Sequence, residues 1–263
     1  MGLCKLAAGG RRNMKTKKIT QDKVVYFINY IFLTLMLIIV LYPIIYIISC
    51  SFSSGTALMS GKVKLFPVEA TLQSYKAVFE YKAIWVGYRN SIIYTVLGTV
   101  ISVVLTLLAA YPLSREDFRG GKVFMGLFLF TMMFSGGLIP TYLLVKNLGL
   151  VNTMWAVILP GSVSAYNVIV ARTFFKQNIP TELLEAAKVD GCSDFRFFIS
   201  IVIPLSMPIV AVLALWVAVG QWNSYFNPMI YLNSENKYTL QLILRRILLM
   251  SQINLSSSNI DPA

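Results

Sequence analysis

Five long runs of uncharged, mostly apolar residues dominate this sequence of 263 residues. A helix needs about 20 apolar residues to cross a hydrocarbon core about 30 Å thick. Backbone groups find no water there, so a crossing segment must be a helix or part of a closed barrel. The sequence therefore predicts an all-α, polytopic membrane helical bundle with five clear spans, at residues 24–50, 91–113, 123–145, 153–171 and 197–222.

Composition excludes most other classes of protein. Hydrophobic residues make up 57% of the chain, against about 45–50% in soluble domains. The chain has no His, and the spans hold no carboxylate, which argues against a proton-coupled carrier, a membrane protease or a metalloenzyme. Cys4, Cys50 and Cys192 are far apart and are expected to be free thiols. We predict no catalytic residue and no metal site.

The basic residues predict the orientation. Residues 1–23 form a basic tail, and cytoplasmic segments carry an excess of Lys and Arg. The connections at 114–122 and 172–197 carry further cations and fall on the same side as the tail. The cations of the tail are Lys5, Arg11, Arg12, Lys15, Lys17, Lys18 and Lys23. We therefore expect the N-terminus in the cytoplasm.

Three segments are too polar or too short to cross. Residues 71–86 have apolar side chains near helical spacing, which predicts an outer interfacial helix with Trp85 at headgroup level. Residues 238–250 contain Arg245 and Arg246 and are too short to span. The polar tail at 251–263 is expected to be disordered, and five spans put the C-terminus outside.

The spans also contain helix breakers and uncharged polar residues. The breakers either kink helices so that they pack or bend them around a gated pathway; they are Gly136, Gly137, Pro140, Pro160 and Pro204. The polar residues either bind a neutral polyhydroxylated solute or hydrogen-bond between helices; they are Asn167, Gln221, Trp222 and Asn223.

Residues 178–204 predict a helix, a tight turn and a second helix. Asn178 or Thr181 can cap the first helix, and acidic residues favour its positive end. Gly191 allows the left-handed turn that ends it. Ser193 or Asp194 can then cap a helix that continues into the fifth span.

The same loop resembles a known family. Its order is Glu185-Ala186-Ala187, three residues, Gly191, nine residues, then Ile201, one residue and Ile203-Pro204. This order is similar to the signature of permease subunits of binding-protein-dependent, ATP-driven (ABC) importers. Residues 71–75, 137–140, 172–175 and 178–180 add likeness to the carbohydrate-uptake branch, second permease type, over residues 20–250.

The resemblance implies a type I importer fold in residues 24–250, in which six spans are usual and the last is missing here. It implies a non-catalytic permease of the bacterial cytoplasmic membrane that imports a sugar or oligosaccharide. The implied partners are a second permease, two ATPase subunits and an extracellular solute-binding protein. ATP and Mg would be bound by the ATPase, with no cofactor in this chain. The coupling helix that contacts the ATPase would use Glu182, Glu185, Ala186, Ala187, Asp190 and Gly191. The alternatives are a permease of the same superfamily for another solute and a truncated, non-functional remnant.

Overall fold

The computed structural model describes the backbone of residues 3–258 and the side chains of residues 23 and 25–252. All regular structure in this part of the chain is helical. The chain divides into two compact units between Glu80 and Tyr81. Each unit is described by itself.

The first unit is built around one long helix. Its elements are α1 (Leu3–Ser51), α2 (Gly55–Met59) and α3 (Gln73–Glu80). The part of α1 at Val25–Ser51 is long and apolar enough to cross a membrane, as predicted for the first span. The basic side chains of residues 1–22 lie outside the described residues.

The segment after α1 folds back on that helix through polar contacts. The Ser49 hydroxyl donates to the Leu65 carbonyl at 2.6 Å, and the hydroxyl oxygens of Ser51 and Tyr75 lie 3.0 Å apart. The predicted helix at 71–86 is wrong in extent: α3 ends at Glu80, and Tyr81 has extended backbone. Trp85 therefore lies in the next helix, which begins at Lys82.

The second unit is organised around α4, which packs against α8, α12 and α14. At 33 residues, α4 is also long and apolar enough to cross a membrane. The elements of the unit, in chain order, are α4 (Lys82–Ser114), α5 (Gly121–Met133), α6 (Leu138–Asn147), α7 (Met154–Ile158), α8 (Ala165–Asn178), α9 (Thr181–Val189), α10 (Asp194–Phe197), a π turn (Phe198–Val202), α11 (Ile203–Leu205), α12 (Met207–Trp222), α13 (Phe226–Tyr231), a 3-10 turn (Glu235–Lys237) and α14 (Leu240–Ser258).

The predicted third, fourth and fifth spans are not straight helices. The chain bends by 113° between α5 and α6, and by 80° between the Asp194–Leu205 helix and α12. The fourth is divided into α7 and α8, because Pro160 and Gly161 (φ 91°) interrupt it. Two described helices could cross a membrane, or up to four if each bent pair is one span. The expected count of five spans is therefore not reproduced.

The main core of this unit contains side chains from both the predicted loop at 178–204 and the predicted spans. Buried side chains from α4, α8, α9, α12 and the 194–202 segment form one apolar cluster. It contains Val103, Leu107, Ala110, Tyr111, Leu113, Val168, Ala171, Phe175, Ala187, Phe197, Phe198, Val202, Ile209 and Leu213. A displacement of α9 would therefore also strain α4 and α8, because tightly packed interiors transmit strain.

The last helix differs from expectation in length. Helix α14 continues to Ser258, so residues 251–258 are helical where disorder was expected, and 259–263 lie outside the described residues. Its start approaches α4 closely at Gly87, where an added Cβ would lie 2.7 Å from Ile243 Cδ1 and 3.1 Å from Leu240 Cα. Only glycine permits this approach without displacement.

Candidate functional site

The first helix of the candidate coupling loop is α9. Pro180 precedes it in extended conformation, with φ −63°, which proline adopts readily. The expected caps are not used: α9 has no side-chain cap, and the Asn178 amide instead donates to the Phe174 carbonyl at 2.9 Å. Asn178 therefore completes the end of α8 and does not start α9.

The turn after α9 forms as the sequence predicts. Gly191 has φ 73°, and its amide donates to the Lys188 carbonyl. The next amide, that of Cys192, donates to the Ala187 carbonyl, as in a glycine-terminated helix. The Ser193 hydroxyl then accepts from the Arg196 amide at 3.4 Å and caps the second helix. Cys192 and Cys50 are free thiols, and the side chain of Cys4 lies outside the described residues.

Helix α9 presents two different faces. Ala187 is 7% exposed and packs in the main core with Phe175 and Phe197. The other five residues of the implied coupling set are exposed, namely Glu182, Glu185, Ala186, Asp190 and Gly191. The structure thus separates the two alanines: Ala186 is available to a partner, and Ala187 contacts the chain's own core.

A charged cluster fastens this loop to the end of α4. Arg115 Nε donates to Asp117 Oδ1 at 2.8 Å, and Arg115 Nη1 donates to Asp194 Oδ1 at 2.8 Å. The hydrogen bonds from Arg115 hold the pKa of the Asp117 carboxyl below its ordinary value. The same bonds to Asp117 and Asp194 raise the pKa of the Arg115 guanidinium, so the cluster stays charged. The ion pair between Arg115 and Asp194 thus links the segment after α4 to the start of α10.

Further contacts join the same two connections. Lys188 Nζ lies 3.8 Å from Asp117 Oδ2, and Arg172 Nε donates to the Leu113 carbonyl at 2.8 Å. The connections at 114–122 and 172–197, assigned to one side by their cations, therefore lie at the same end of this unit. Sequence reasoning missed this cluster, although the opposite charges in two same-side loops were a signal for it.

The predicted polar residues near the end of α12 lie toward the other end of α4. A Cβ on Gly98 would lie 3.2 Å from the Gln221 amide nitrogen, so the two helices touch there. Trp222 packs against the Ile84 cluster, and its ring lies 6.4 Å from that of Tyr88. The Asn223 amide donates to the Val219 carbonyl at 2.9 Å.

Asn167 is not joined to this group. It lies in α8 beside Tyr166, whose ring is 5.9 Å from that of Trp216. Among the described side chains, no hydrogen bond connects Asn167 to Gln221, Trp222 or Asn223. Gln221, Trp222 and Asn223 thus lie together at the end of α12, whereas Asn167 lies apart from them in α8.

Buried polar side chains fix the start of α4 to the segment before α14. The Asn90 amide donates to the Asn236 and Tyr238 carbonyls at 2.9 and 3.0 Å. The Ser91 hydroxyl accepts from the Leu240 amide at 2.9 Å. These bonds satisfy backbone groups that would otherwise be unpaired between helices. Sequence reasoning did not find them, because their partners are backbone atoms far along the chain.

The predicted helix breakers lie at or beside the bends of the chain. Gly136 and Gly137 (φ 84°) lie between α5 and α6, and Pro160 lies between α7 and α8. Pro140 lies in the first turn of α6, where a missing amide proton costs little. Pro204 lies in α11, two residues before the 80° bend at Ser206.

Comparison with known proteins places this architecture in a family. A family model described as "Binding-protein-dependent transport system inner membrane component" matches residues 13–257. The chain is 43% identical over 222 residues to the polygalacturonan/rhamnogalacturonan transport system permease protein YtcP of Bacillus subtilis, covering 84% of this chain and 77% of that protein. It is 40% identical to Protein LplC of the same organism, with coverage of 88% and 78%.

A more distant relative and a solved structure agree. The arabinooligosaccharides transport system permease protein AraQ of Halalkalibacterium halodurans is 32% identical, covering 80% of this chain and 77% of that protein. A chain from the crystal structure of a bacterial ABC transporter involved in the import of the acidic polysaccharide alginate superposes with a TM-score of 0.82. It shares 37% identity, covering 86% of this chain and 80% of that chain. The chain therefore belongs to the family of binding-protein-dependent transport system inner membrane components.

Proposed function

We propose that this chain is a permease subunit of an ATP-driven importer that moves a sugar or oligosaccharide across the bacterial cytoplasmic membrane. The chain itself carries out no covalent chemistry. Its relatives in this family include permeases named for polygalacturonan and for arabinooligosaccharides, and the transporter of the solved relative imports an acidic polysaccharide. The substrate class of the proposal is therefore a carbohydrate.

The observation that carries the mechanism is the two-sided burial of α9. Its exposed residues, Glu182, Glu185 and Ala186, contact an ATPase subunit in this proposal, while Ala187 packs in the main core. A force that the ATPase applies to the exposed face of α9 then reaches α4 and α8 through packed side chains, with no flexible segment between them. Such rigid-body movement of packed helices is a common way to switch between two conformations.

The Arg115 cluster supports the same transfer of force. Arg115 follows the last residue of α4 and binds Asp194 at the first residue of α10. The loop is thus held to α4 by charge as well as by apolar packing. Arg115 acts here as a positioning residue, because it links two elements of this chain and touches no substrate.

The partners and orientation follow from this mechanism. The end with α9 and Arg115 faces the cytoplasm, together with the N-terminus, since the ATPase subunits are there. A second permease completes the pathway, and an extracellular solute-binding protein delivers the sugar. ATP and Mg are bound by the ATPase subunits and not by this chain.

Co-purification tests the coupling surface. The tagged chain, co-expressed with its partner permease and ATPase, is expected to retain the ATPase, and Glu185→Lys is expected to lose it through charge reversal at the contact. Glu80→Lys, at an exposed carboxylate of α3, is the matched control and should retain it. Retention of the ATPase by Glu185→Lys and Ala186→Trp alike would contradict the proposed contact.

Uptake tests the transport itself. Cells that express all the transporter subunits should accumulate labelled oligosaccharides, and cells lacking only this chain should not. Equal uptake with and without the chain would contradict the proposed function.

A further inference from the structure

A groove runs along the last three turns of α4. Two cavities, of about 470 Å³ and about 230 Å³, share Leu108, Phe195 and Phe198 in their linings, so they are two parts of one groove. Val104, Leu108 and Arg115 line its α4 side at spacings of four and seven residues, which place them on one face of the helix. The segment 194–203 forms the opposite side.

The lining changes from apolar to charged along the groove. The smaller cavity, around Val104, is lined by apolar residues alone. The larger one also contains Arg115, Asp117 and Asp194. Arg115 follows Val104 by 11 residues, which corresponds to about 16 Å along a helix. One leaflet of a hydrocarbon core about 30 Å thick is about 15 Å deep. The groove thus matches one leaflet in length and is polar at one end.

The apolar sides of the groove are exposed. Leu108, Phe195 and Ile199 are exposed, above a floor in which Leu107 and Phe198 are buried. Helix α4 is long and apolar enough to cross a membrane, so its uncovered side chains meet acyl chains or another membrane helix. A phospholipid offers both an acyl chain for the apolar part and a charged headgroup for the other end. An apolar helix would offer only the first.

The charged end carries both signs. A guanidinium has five N–H donors, and three of those of Arg115 are used within the described residues, two by Asp117 and one by Asp194. Two donors are left for a further acceptor. The Asp194 side chain is 62% exposed and keeps room for a cation, whereas Asp117 already lies 3.8 Å from Lys188 Nζ. A headgroup with a negative and a positive charge matches this arrangement.

The Tyr111 hydroxyl adds a polar group to the same end. Tyr111 is 8% exposed and lines the larger cavity. Its hydroxyl forms no hydrogen bond of normal geometry with the described residues. Buried polar groups are almost always hydrogen-bonded, so this hydroxyl indicates a missing partner. A phosphate oxygen would accept from it and from Arg115.

We infer that the groove binds one phospholipid with a phosphoethanolamine headgroup. Its acyl chain lies along Val104, Leu108 and Phe195, its phosphate accepts from Arg115 and Tyr111, and its ammonium donates to Asp194. The lipid then fills the space between α4 and the second helix of the loop at 178–204. The site lies outside the proposed coupling surface and does not depend on which solute is imported.

Native mass spectrometry of the purified, complete transporter tests the headgroup. The complex is titrated with phosphatidylethanolamine, phosphatidylcholine and phosphatidylglycerol that have identical acyl chains. Phosphatidylcholine carries the same charges but no N–H donor, and phosphatidylglycerol carries no cation. The ethanolamine lipid is expected to bind about fivefold more tightly than either, as suits one partly exposed charged contact. Asp194→Asn should remove this preference. Glu116→Gln, at a neighbouring exposed carboxylate outside the groove, should keep it.

A second pair of variants tests the acyl chain. Leu108→Trp is expected to weaken binding of all three lipids about tenfold or more, because its ring displaces methylenes from the groove. Leu105→Trp is the matched control, since Leu105 is also exposed on α4 but does not line the groove. It should bind lipid as the unaltered complex does.

Equal affinity for the three lipids, or unchanged binding by Leu108→Trp, would overturn the inference. A benzophenone-bearing phenylalanine at position 195 distinguishes the possible occupants. It is expected to crosslink to lipid in vesicles that contain phosphatidylethanolamine. Crosslinks to the second permease or to the ATPase in its place would show that protein covers the groove, and would also overturn the inference. Each of these outcomes leaves the proposed import of sugar standing.

Discussion

The two ends of α4 are built by different means. Around Ser114, five helical segments share one apolar core, and charged side chains of two connections bind each other. Around Asn90, the chain is held mainly by side chains that bind backbone carbonyls and amides. The first arrangement holds its helices together as one packed body. The second leaves Trp222 and Tyr225 only partly buried.

The largest effect is expected from truncating the apolar core. Phe175 is 1% exposed and contacts the Tyr111 ring edge-on at 6.1 Å. Phe175→Ala should lower the free energy of unfolding by about 3–5 kcal/mol through cavity formation. Thermal melting of the solubilised complex measures this, with Phe195→Ala, at an exposed ring, as the control. Equal losses in the two variants would show that the core is not concentrated at this end.

A smaller effect is expected where α14 touches α4. Gly87→Val should destabilise the protein by about 1–3 kcal/mol, because the added atoms meet the Leu240 backbone as well as a side chain. Gly126→Val in α5 is the control, since nothing lies within 4 Å of its Cβ position. Melting temperatures of the two variants should separate clearly. If Gly126→Val melts as low as Gly87→Val, the close approach carries no cost.

The backbone-binding end can be tested at Asn90. Asn90→Ala removes two hydrogen bonds and leaves two carbonyls unpaired, at a cost of about 1–2 kcal/mol. Hydrogen exchange at residues 236–240 should increase, whereas exchange in α9 should not. Faster exchange in α9 would mean that the two ends are not independent.

The smallest effect is expected from Asp117, which is half exposed, so solvent screens its ion pairs. Its lowered pKa stabilises the folded protein above the ordinary value of 3.8, and this contribution is lost as pH falls through the lowered pKa. Asp117→Asn should therefore reduce stability by less than about 1 kcal/mol near neutral pH, with the difference disappearing in acid. Melting curves across this range measure it. A difference that grows as pH falls would contradict the assigned charge.

Local features of the sequence predicted the turn and the second helix of the 178–204 loop, but not how its first helix begins. The Gly191 turn and the Ser193 cap formed as expected, because both depend on residues within one helical turn. The long apolar runs were less informative. An apolar run indicates how long a segment is and that it avoids water, but not the direction in which its helix runs. Gly136, Gly137 and Pro204 marked interruptions near the two bends, but they did not predict bends of 113° and 80°.

Contacts between distant residues could not be predicted from one sequence. Arg115 and Asp194 are 79 residues apart, and Asn90 binds a carbonyl 146 residues away. Nothing in the local pattern shows that Arg246 pairs with Glu235 whereas Arg245 lies over the Tyr225 ring.

The π turn at Phe198–Val202 sets the direction in which the side chains of α10 point relative to those of α11. Phe197 and Val202 are both buried in the main core, although residues five apart on an α-helix point about 140° away from each other. The wider turn, closed by the Ile203 amide on the Phe198 carbonyl, brings both to one side. Deleting one residue there would restore regular spacing and rotate Asp194 and α9 by about 100° relative to α11. This single wide turn therefore determines the angular position of α10 relative to α11.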